Sequence, residues 1–263
     1  MTSILIVGAT QGTGRELAAA YLRDGAKVVI TGRDADRAET VASELTAEAA
    51  GARGAAQSSS TVPGHPPALT TSGGRPCADA VTGLALDLSR PETVAAALAP
   101  VGRLDRLVLA GMVRDRNTLS GFDIAAASTL AVTKIVGYTA VISALAERLA
   151  PDAAVLLFGG GAKDYPYPGS TILTAVNAAV TGMVRTLSTE LAPVRVNAIH
   201  PGPIGDSPFW QGKPELSDAL ATFRAQTLTG ELGRMADVVG ASRFLLENRL
   251  ANGIDLPLDG GHP

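Results

Sequence analysis

The stretch SILIVGATQGTG, from Ser3 to Gly14, combines an apolar run with three glycines and is followed at once by a helix-forming sequence. This order predicts a strand, a tight turn and a helix. Gly8 would let the chain turn sharply out of the strand, Gly12 would let the backbone approach a diphosphate, and Gly14 would let the helix pack closely on the sheet. Because the free N–H groups of a helix N-terminus favour negative charge, the turn is predicted to bind phosphate.

The composition suits one large α/β domain with a small-molecule ligand. The chain has 263 residues, of which 46% are hydrophobic, and this is enough to bury a complete core without a second domain. The 22 basic residues nearly balance the 25 acidic ones, so the basic surface typical of a nucleic-acid or anionic-membrane partner is absent. We therefore expect a small-molecule substrate, no nucleic acid and no membrane.

Cysteine and histidine usage argues against disulfide and metal chemistry. Cys77 is a single cysteine and excludes an intrachain disulfide, while His65, His200 and His262 lie too far apart in sequence to suggest a metal site. The N-terminal residues enter a strand without a basic leader or a long apolar helix. We expect a cytoplasmic protein with no metal.

Strand and helix patterns alternate along the rest of the chain, which favours parallel strands joined by helical crossovers. The later predicted strands cover residues 27–31, 81–86, 106–110, 154–158, 195–199 and 253–258. The predicted helices include residues 15–23, 35–50, 124–149, 171–191 and 235–248. The pattern predicts a doubly wound parallel sheet of about seven strands, of Rossmann type, in a single domain over residues 1–263.

Two segments depart from this alternation. Residues 51–78 are rich in Gly, Ser, Thr and Pro and lack aromatic residues, so they are predicted to form a disordered insertion. An inert insertion is the expectation, and a mobile lid or a partner-binding arm is the alternative. Residues 207–230 are polar and mixed, and we expect them to form a lid over a substrate site at the carboxyl ends of the strands.

The tip of the second predicted strand carries Arg33. At this position a carboxylate would bind the ribose hydroxyl of NAD, whereas an arginine would pair with the additional phosphate of NADP. The alternative is that Arg33 is an ordinary surface arginine. The sequence therefore favours NADP(H) as the cofactor.

Several stretches resemble the short-chain dehydrogenase/reductase family. The glycine turn is similar to the family's Thr-Gly-x-x-x-Gly-x-Gly, and the chain ends in its Asp-Gly-Gly signature at residues 259–261. Asp87-Leu88 matches the pair that holds adenine, Leu109-Ala110-Gly111 resembles a shortened Asn-Asn-Ala-Gly, and Val184 to Gly202 resembles the helix, strand and Pro-Gly block. The resemblance implies an oxidoreductase that uses a nicotinamide cofactor and assembles as a homodimer or homotetramer through the helices predicted at 124–149 and 171–191.

The same resemblance implies which residues hold the cofactor. They are Gly8, Thr10, Gln11, Gly12, Thr13, Gly14, Arg33, Asp87, Leu88, Ala110, Gly111, Asn177, Pro201, Gly202 and Ile204.

The catalytic positions of the family are altered in this chain. Members use a tyrosine and, four residues later, a lysine on one helix face, where the lysine lowers the pKa of the tyrosine. With the register anchored on residues 178–187, these positions hold Leu173 and Asn177, and the catalytic serine position holds Gly160. The family's helix asparagine corresponds to Lys134, and the threonine that anchors nicotinamide corresponds to Asp206. The usual proton chemistry is therefore not available at the usual places.

Three hypotheses remain open. The first is an NADP(H)-dependent oxidoreductase acting on a small carbonyl, quinone or enone, with Tyr165 or Tyr167 as proton donor and Lys134 or Lys163 supplying positive charge. The second is a catalytically silent NADP(H)-binding pseudoenzyme or sensor. The third is a non-redox enzyme that performs an elimination, isomerisation or cyclisation. The alternative for each tyrosine is packing of a Pro-rich loop, and His200 is expected to be structural.

Overall fold

The computed structural model describes residues 1–58, 80–113 and 117–261 of the chain. Seven strands form one sheet in the order β3-β2-β1-β4-β5-β6-β7, and all neighbouring pairs are parallel. The strands are Ser3–Val7 (β1), Lys27–Gly32 (β2), Val81–Ala85 (β3), Leu104–Leu109 (β4), Leu149–Phe158 (β5), Arg195–Pro201 (β6) and Asp255–Leu258 (β7). The reversal of strand order beside β1 confirms the doubly wound fold.

Helices cover both faces of the sheet. The α-helices are Gly12–Arg23 (α1), Ala35–Ser58 (α2), Val94–Ala97 (α3), Ile124–Ala131 (α4), Tyr138–Leu145 (α5), Thr171–Glu190 (α6), Ser217–Gln226 (α7) and Met235–Glu247 (α8). Short 3-10 turns lie at Pro91–Thr93, Leu119–Gly121, Ala146–Arg148, Gly161–Lys163 and Pro214–Leu216.

Each face of the sheet has its own apolar core. On one face α1, α2 and α8 pack Leu17, Leu45 and Leu246 against the strands. On the other face α5 and α6 contribute Tyr138 and Val180. Central strands that are buried on both faces read as continuous apolar runs, and this explains the sequence pattern of β1 and β5.

Some boundaries differ from the sequence predictions. Helix α2 continues to Ser58, so the first part of the predicted insertion is helical, and residues 59–78 of that prediction lie outside the described residues. Strand β5 starts at Leu149 and contains Pro151, which was expected to follow a helix end. The missing N–H of Pro151 is tolerated because β6 begins to pair with β5 only at Ala154.

The predicted helix at 124–149 is not a uniform α-helix. Between α4 and α5 the chain forms a π-helical segment, Val132–Gly137, so that helical structure runs continuously from Ile124 to Arg148. Among the described residues, this is the one helix whose length and composition would suit a membrane span. Its residues Tyr138, Val141 and Leu145 are buried against the sheet, and we assign the helix to the packed core.

Candidate active site

The carboxyl ends of the strands open into a cavity of about 820 Å³. A crevice at this edge, beside the reversal of strand order, is where open α/β sheets bind their ligands. The predicted cofactor residues that line the cavity are Gly8, Thr10, Gln11, Gly12, Thr13, Gly14, Arg33, Asp87, Leu88, Ala110, Gly111, Pro201, Gly202 and Ile204. Asn177 is the predicted cofactor residue that does not line it within the described structure.

The glycine turn has the geometry of a phosphate cradle. A Cβ on Gly8 would lie 2.6 Å from the Cα of Gly111, and a Cβ on Gly14 would lie 2.6 Å from the carbonyl oxygen of Gly8. Gly12 has a φ of +59° and faces open space. Gln11, the N-cap of α1, makes no side-chain hydrogen bond to the helix. The helix N-terminus is therefore available to a diphosphate, and these residues fit the cofactor that the fold implies.

Two predicted polar residues line the cavity beside β2 and β3. Arg33 is exposed, and its guanidinium makes no ion pair with any described residue. Asp87 is held in place because its Oδ1 accepts hydrogen bonds from the backbone N and the Oγ of Ser89, at 3.0 and 2.7 Å. An unpaired arginine in this position is suited to a phosphate group.

Lys134 lies on the π-helical segment and lines the same cavity. Its side chain is 2% exposed and makes no hydrogen bond or ion pair within the described ranges. Its Nζ lies 5.2 Å from the ring centroid of Tyr138, whose hydroxyl donates to the carbonyl oxygen of Gly111 at 2.8 Å. Burial lowers the pKa of Lys134 from 10.5 to about 7, because the charged ammonium is poorly solvated there.

The two loop tyrosines lie elsewhere in the structure. Neither Tyr165 nor Tyr167 is among the described residues that line the cavity. Tyr167 is 48% exposed, and its backbone N–H donates to Ser170 Oγ. Lys163, the other candidate cation, is held by ion pairs with Asp164 at 2.9 Å and Asp255 at 3.2 Å. Of the candidate groups for proton transfer or positive charge, the structure therefore places Lys134 on the cavity.

Gly160 and Asn177, two of the positions predicted from the sequence to be altered, are neighbours. An ideal Cβ on Gly160 would lie 2.8 Å from the Nδ2 of Asn177, so a side chain at residue 160 would displace the amide. Asn177 is 3% exposed, and its Oδ1 has no hydrogen-bond partner among the described residues. Leu173 is half-buried and lies outside the described cavity lining.

His200 occupies a buried network behind the site. It is fully buried, its Nδ1 accepts from the Gly160 N–H at 3.2 Å, and its Nε2 lies 2.5 Å from Asp255 Oδ1. Burial lowers the pKa of His200, so the neutral ring with a proton on Nε2 fits both contacts. Burial alone would raise the pKa of Asp255, but hydrogen bonds from His200, Thr181 and Lys163 hold it below its ordinary value. His200 thus joins β6 to β7 and to the loop after β5.

Several cavity residues were not identified individually from the sequence. Phe209, Trp210 and Lys213 line the cavity from within the predicted lid, where the two rings meet edge to face at 4.7 Å. The sequence signal that could have identified them is the pair of aromatic residues in an otherwise polar segment. Asp206 does not line this cavity, because its Oδ1 accepts from the Met235 N–H at the start of α8. No cluster of three potential metal-ligating side chains occurs among the described residues.

The chain is similar to known proteins over almost its whole length. A family model described as short chain dehydrogenase matches residues 2–61, and one described as Enoyl-(Acyl carrier protein) reductase matches residues 68–262. A short-chain dehydrogenase/reductase of Stachybotrys chlorohalonatus is 25% identical, and the alignment covers 98% of this chain and 96% of that protein. A cis-2,3-dihydrobiphenyl-2,3-diol dehydrogenase of Paraburkholderia xenovorans is 27% identical over 98% of this chain and 90% of that protein.

Solved structures agree in fold. A short chain dehydrogenase from Burkholderia cenocepacia in complex with NADP has a TM-score of 0.79 and 24% identity, covering 99% of this chain and 97% of that one. Identity at this level speaks for the fold alone, whereas the family models also match the sequence over most of its length. The chain belongs to the short-chain dehydrogenase/reductase family.

Proposed function

We propose that this protein is an NADP(H)-dependent oxidoreductase that transfers hydride between nicotinamide and a small carbonyl, quinone or enone substrate. One observation carries the proposal: a single cavity gathers the uncapped glycine turn, the unpaired Arg33 and the buried Lys134. The first two features suit a phosphorylated dinucleotide. The third places an ionisable group in the cavity where a substrate would lie beside the cofactor.

The choice of NADP(H) over NAD(H) rests on Arg33. Its guanidinium has no described partner and would pair with the additional phosphate, while Asp87 and Leu88 would contact adenine. Pro201, Gly202 and Ile204 would hold the nicotinamide half from the end of β6. A solved relative was crystallised with NADP and another with NADPH, which supports the same choice. When bound, the reduced cofactor supplies the hydride.

The proton that accompanies the hydride needs a donor other than the usual tyrosine. We retain Tyr165, Tyr167 and Lys134 as candidates, because Leu173 and Gly160 have no exchangeable proton on their side chains. Lys134 has two features that favour it: it lines the cavity, and its pKa of about 7 lets the amine take up and release a proton near neutral pH.

The test is NADPH oxidation in the presence of a panel of small ketones, quinones and enones. We expect at least one compound to be reduced, and we expect loss of the true donor to lower the rate by roughly 10² to 10⁴. The variants are Tyr165→Phe, Tyr167→Phe, their double variant and Lys134→Met, with the exposed Lys27→Met as matched control. NADPH binding without reduction of any compound would overturn the oxidoreductase proposal.

The second candidate is a protein that binds NADP(H) without hydride transfer, either as a sensor or as a non-redox enzyme. The feature in its favour is that the resemblance puts Gly160, Leu173 and Asn177 at the positions where the family carries its proton-transfer residues. Substrate consumption without a change in NADPH absorbance would identify an elimination, isomerisation or cyclisation. Binding of NADP(H) without turnover of any compound would identify a sensor.

A further inference from the structure

Thr133 and Lys134 are consecutive residues of the π-helical segment, and both line the cavity. Their side chains are 4% and 2% exposed. Thr133 Oγ1 is buried without a hydrogen-bond partner, and Lys134 has no hydrogen bond or ion pair to the described chain. Buried polar groups are normally paired, so two adjacent unpaired groups on a cavity wall point to a ligand.

The segment that carries these side chains is held firmly. Tyr138, directly after its C-terminal end, donates to the carbonyl oxygen of Gly111, which also lines the cavity. Gly137 lies so close to the chain after β3 that a Cβ there would be 2.4 Å from the carbonyl oxygen of Leu88. π-helical turns inside longer helices are frequently found at functional sites. The two polar groups are thus held in position before a ligand arrives.

No described carboxylate serves Lys134 as a counter-ion. Asp87 is the carboxylate among the described residues that line the cavity, and its Oδ1 is engaged by Ser89. Asp255 and Asp164 neutralise Lys163, and Asp255 also binds His200. The other cations on the cavity are Arg33 and Lys213, the latter over the ring of Phe209. A charged amine at Lys134 would therefore depend on a bound ligand for its counter-ion.

We propose that Thr133 and Lys134 form a subsite for an acidic hydroxyl group on the substrate, which makes phenols and enols that carry the reacting carbonyl the preferred class. This deepens the proposed function, because the subsite lies in the cofactor cavity. The hydroxyl enters uncharged, its O–H bond breaks, and the proton bonds to the neutral Nζ of Lys134. The resulting oxyanion accepts hydrogen bonds from Nζ and from Thr133 Oγ1.

The burial of the subsite favours a weak acid over a carboxylate. A carboxylate is ionised in water and would lose its hydration on entry, whereas a phenol or enol forms its charge only after it has reached the amine. Phe158, Phe209 and Trp210 line the same cavity and suit a flat conjugated ligand. Geometry and chemistry thus agree on hydroxyquinones, acylphenols and the enols of β-dicarbonyl compounds.

The probe that tests the proposal is 4-nitrophenol, whose phenolate absorbs in the visible range. The protein, with and without NADP⁺, is added at pH 7, where Lys134 with its pKa of about 7 is partly neutral, and the phenolate band in excess of that of the free probe is recorded. We expect the band to appear with the unaltered protein and to disappear with Lys134→Met. With Thr133→Val we expect roughly tenfold weaker binding.

The controls separate the subsite from general binding. Lys27→Met, an exposed lysine on β2, should behave like the unaltered protein. 4-Nitroanisole, which lacks the hydroxyl, should bind the unaltered protein at least tenfold more weakly than 4-nitrophenol does. Its affinity for Thr133→Val should equal its affinity for the unaltered protein. If Lys134→Met fails to fold, the measurements with Thr133→Val and with 4-nitroanisole still show whether the subsite recognises the hydroxyl group.

Three outcomes would overturn the proposal: a phenolate band that persists in Lys134→Met, equal binding of 4-nitroanisole and 4-nitrophenol, or tighter binding of benzoate than of either. The measurement needs no hydride transfer. A phenolate band together with inactivity towards the whole compound panel would therefore remove the proposed function and leave the subsite. Turnover of a compound from the panel without a phenolate band would remove the subsite and leave the proposed function.

Discussion

At the scale of the residue, the burial of Lys134 should weaken the fold wherever the amine is charged. Its pKa is about 7 in the folded chain against 10.5 for an ordinary lysine, so the unfolded chain binds more protons between these values. Stability should therefore rise as the pH increases through this window and reach its lowest level below pH 7. At about 1.4 kcal/mol per pKa unit, the effect is on the order of 5 kcal/mol.

Lys134→Met removes this penalty, and we expect the variant to unfold at higher denaturant concentration than the unaltered protein at pH 6. The difference should shrink as the pH rises from about 7 towards 10.5. Urea unfolding of both proteins in the absence of cofactor, at a series of pH values, measures this difference in stability. A constant difference across the series would show that the lysine is not titrating in this window.

A second prediction at this scale concerns Arg33. Arg33→Ala should weaken NADPH binding by roughly ten- to hundredfold and leave NADH binding unchanged, because one charge-assisted contact to the additional phosphate is lost. Calorimetric titration of both cofactors measures the effect. Arg37→Ala is the matched control, since this exposed arginine of α2 is outside the described cavity lining. An NADPH affinity of Arg33→Ala equal to that of the unaltered protein would contradict the assignment.

At the scale of the element, the π-helical segment is positioned by Gly137. A methyl group at this residue would meet the Leu88 carbonyl oxygen at 2.4 Å and the Leu88 Cβ at 2.9 Å, and Leu88 lines the cavity. Gly137→Ala should therefore push the helix from the chain after β3 and lower stability by about 1 to 3 kcal/mol. NADPH binding should weaken with it.

The control for Gly137→Ala is Gly240→Ala in α8, where a Cβ would meet nothing within 4 Å. This change should stabilise the protein by about 0.5 to 1 kcal/mol, because alanine favours the helix over glycine. The melting temperatures of the two variants separate the steric clash expected at Gly137 from the gain in helix propensity expected at Gly240. Stabilisation of the protein by both changes would show that the close approach of Gly137 to Leu88 is not constraining.

At the scale of the whole molecule, the long helix leaves apolar side chains exposed. Ile124, Ile135 and Val136 are 72%, 37% and 48% exposed. We propose that this surface contributes to a homodimer or homotetramer, since exposed apolar patches on a helix commonly mark an interface. The expected mass in solution is two or four times 26.7 kDa.

Val136→Glu should shift the protein towards the monomer by placing a charge in that interface. Light scattering coupled to size-exclusion chromatography measures the mass, and Leu250→Glu is the control because Leu250 is 94% exposed outside the long helix. A monomeric unaltered protein, or an assembly insensitive to Val136→Glu, would contradict the predicted interface.

The sequence by itself determined the class of fold and the position of the glycine turn. Both depend on local signals: the spacing of the glycines at 8, 12 and 14 after an apolar run is typical of a tight strand-to-helix turn, and buried parallel strands read as short apolar runs. Arg33 and Asp87 could be assigned to the same crevice because the carboxyl ends of parallel strands meet at one edge.

Only the tertiary structure decided which candidate side chains reach the cavity. Tyr165 and Tyr167 are close in sequence to the family's catalytic positions, yet they lie outside the described lining, whereas the distant Lys134 lies inside it. Asp206 is drawn to the N-terminus of α8, a contact 29 residues away in sequence. The direction of a side chain on a helix or loop depends on packing between elements far apart in the chain. The burial that lowers the pKa of Lys134 is likewise a property of that packing.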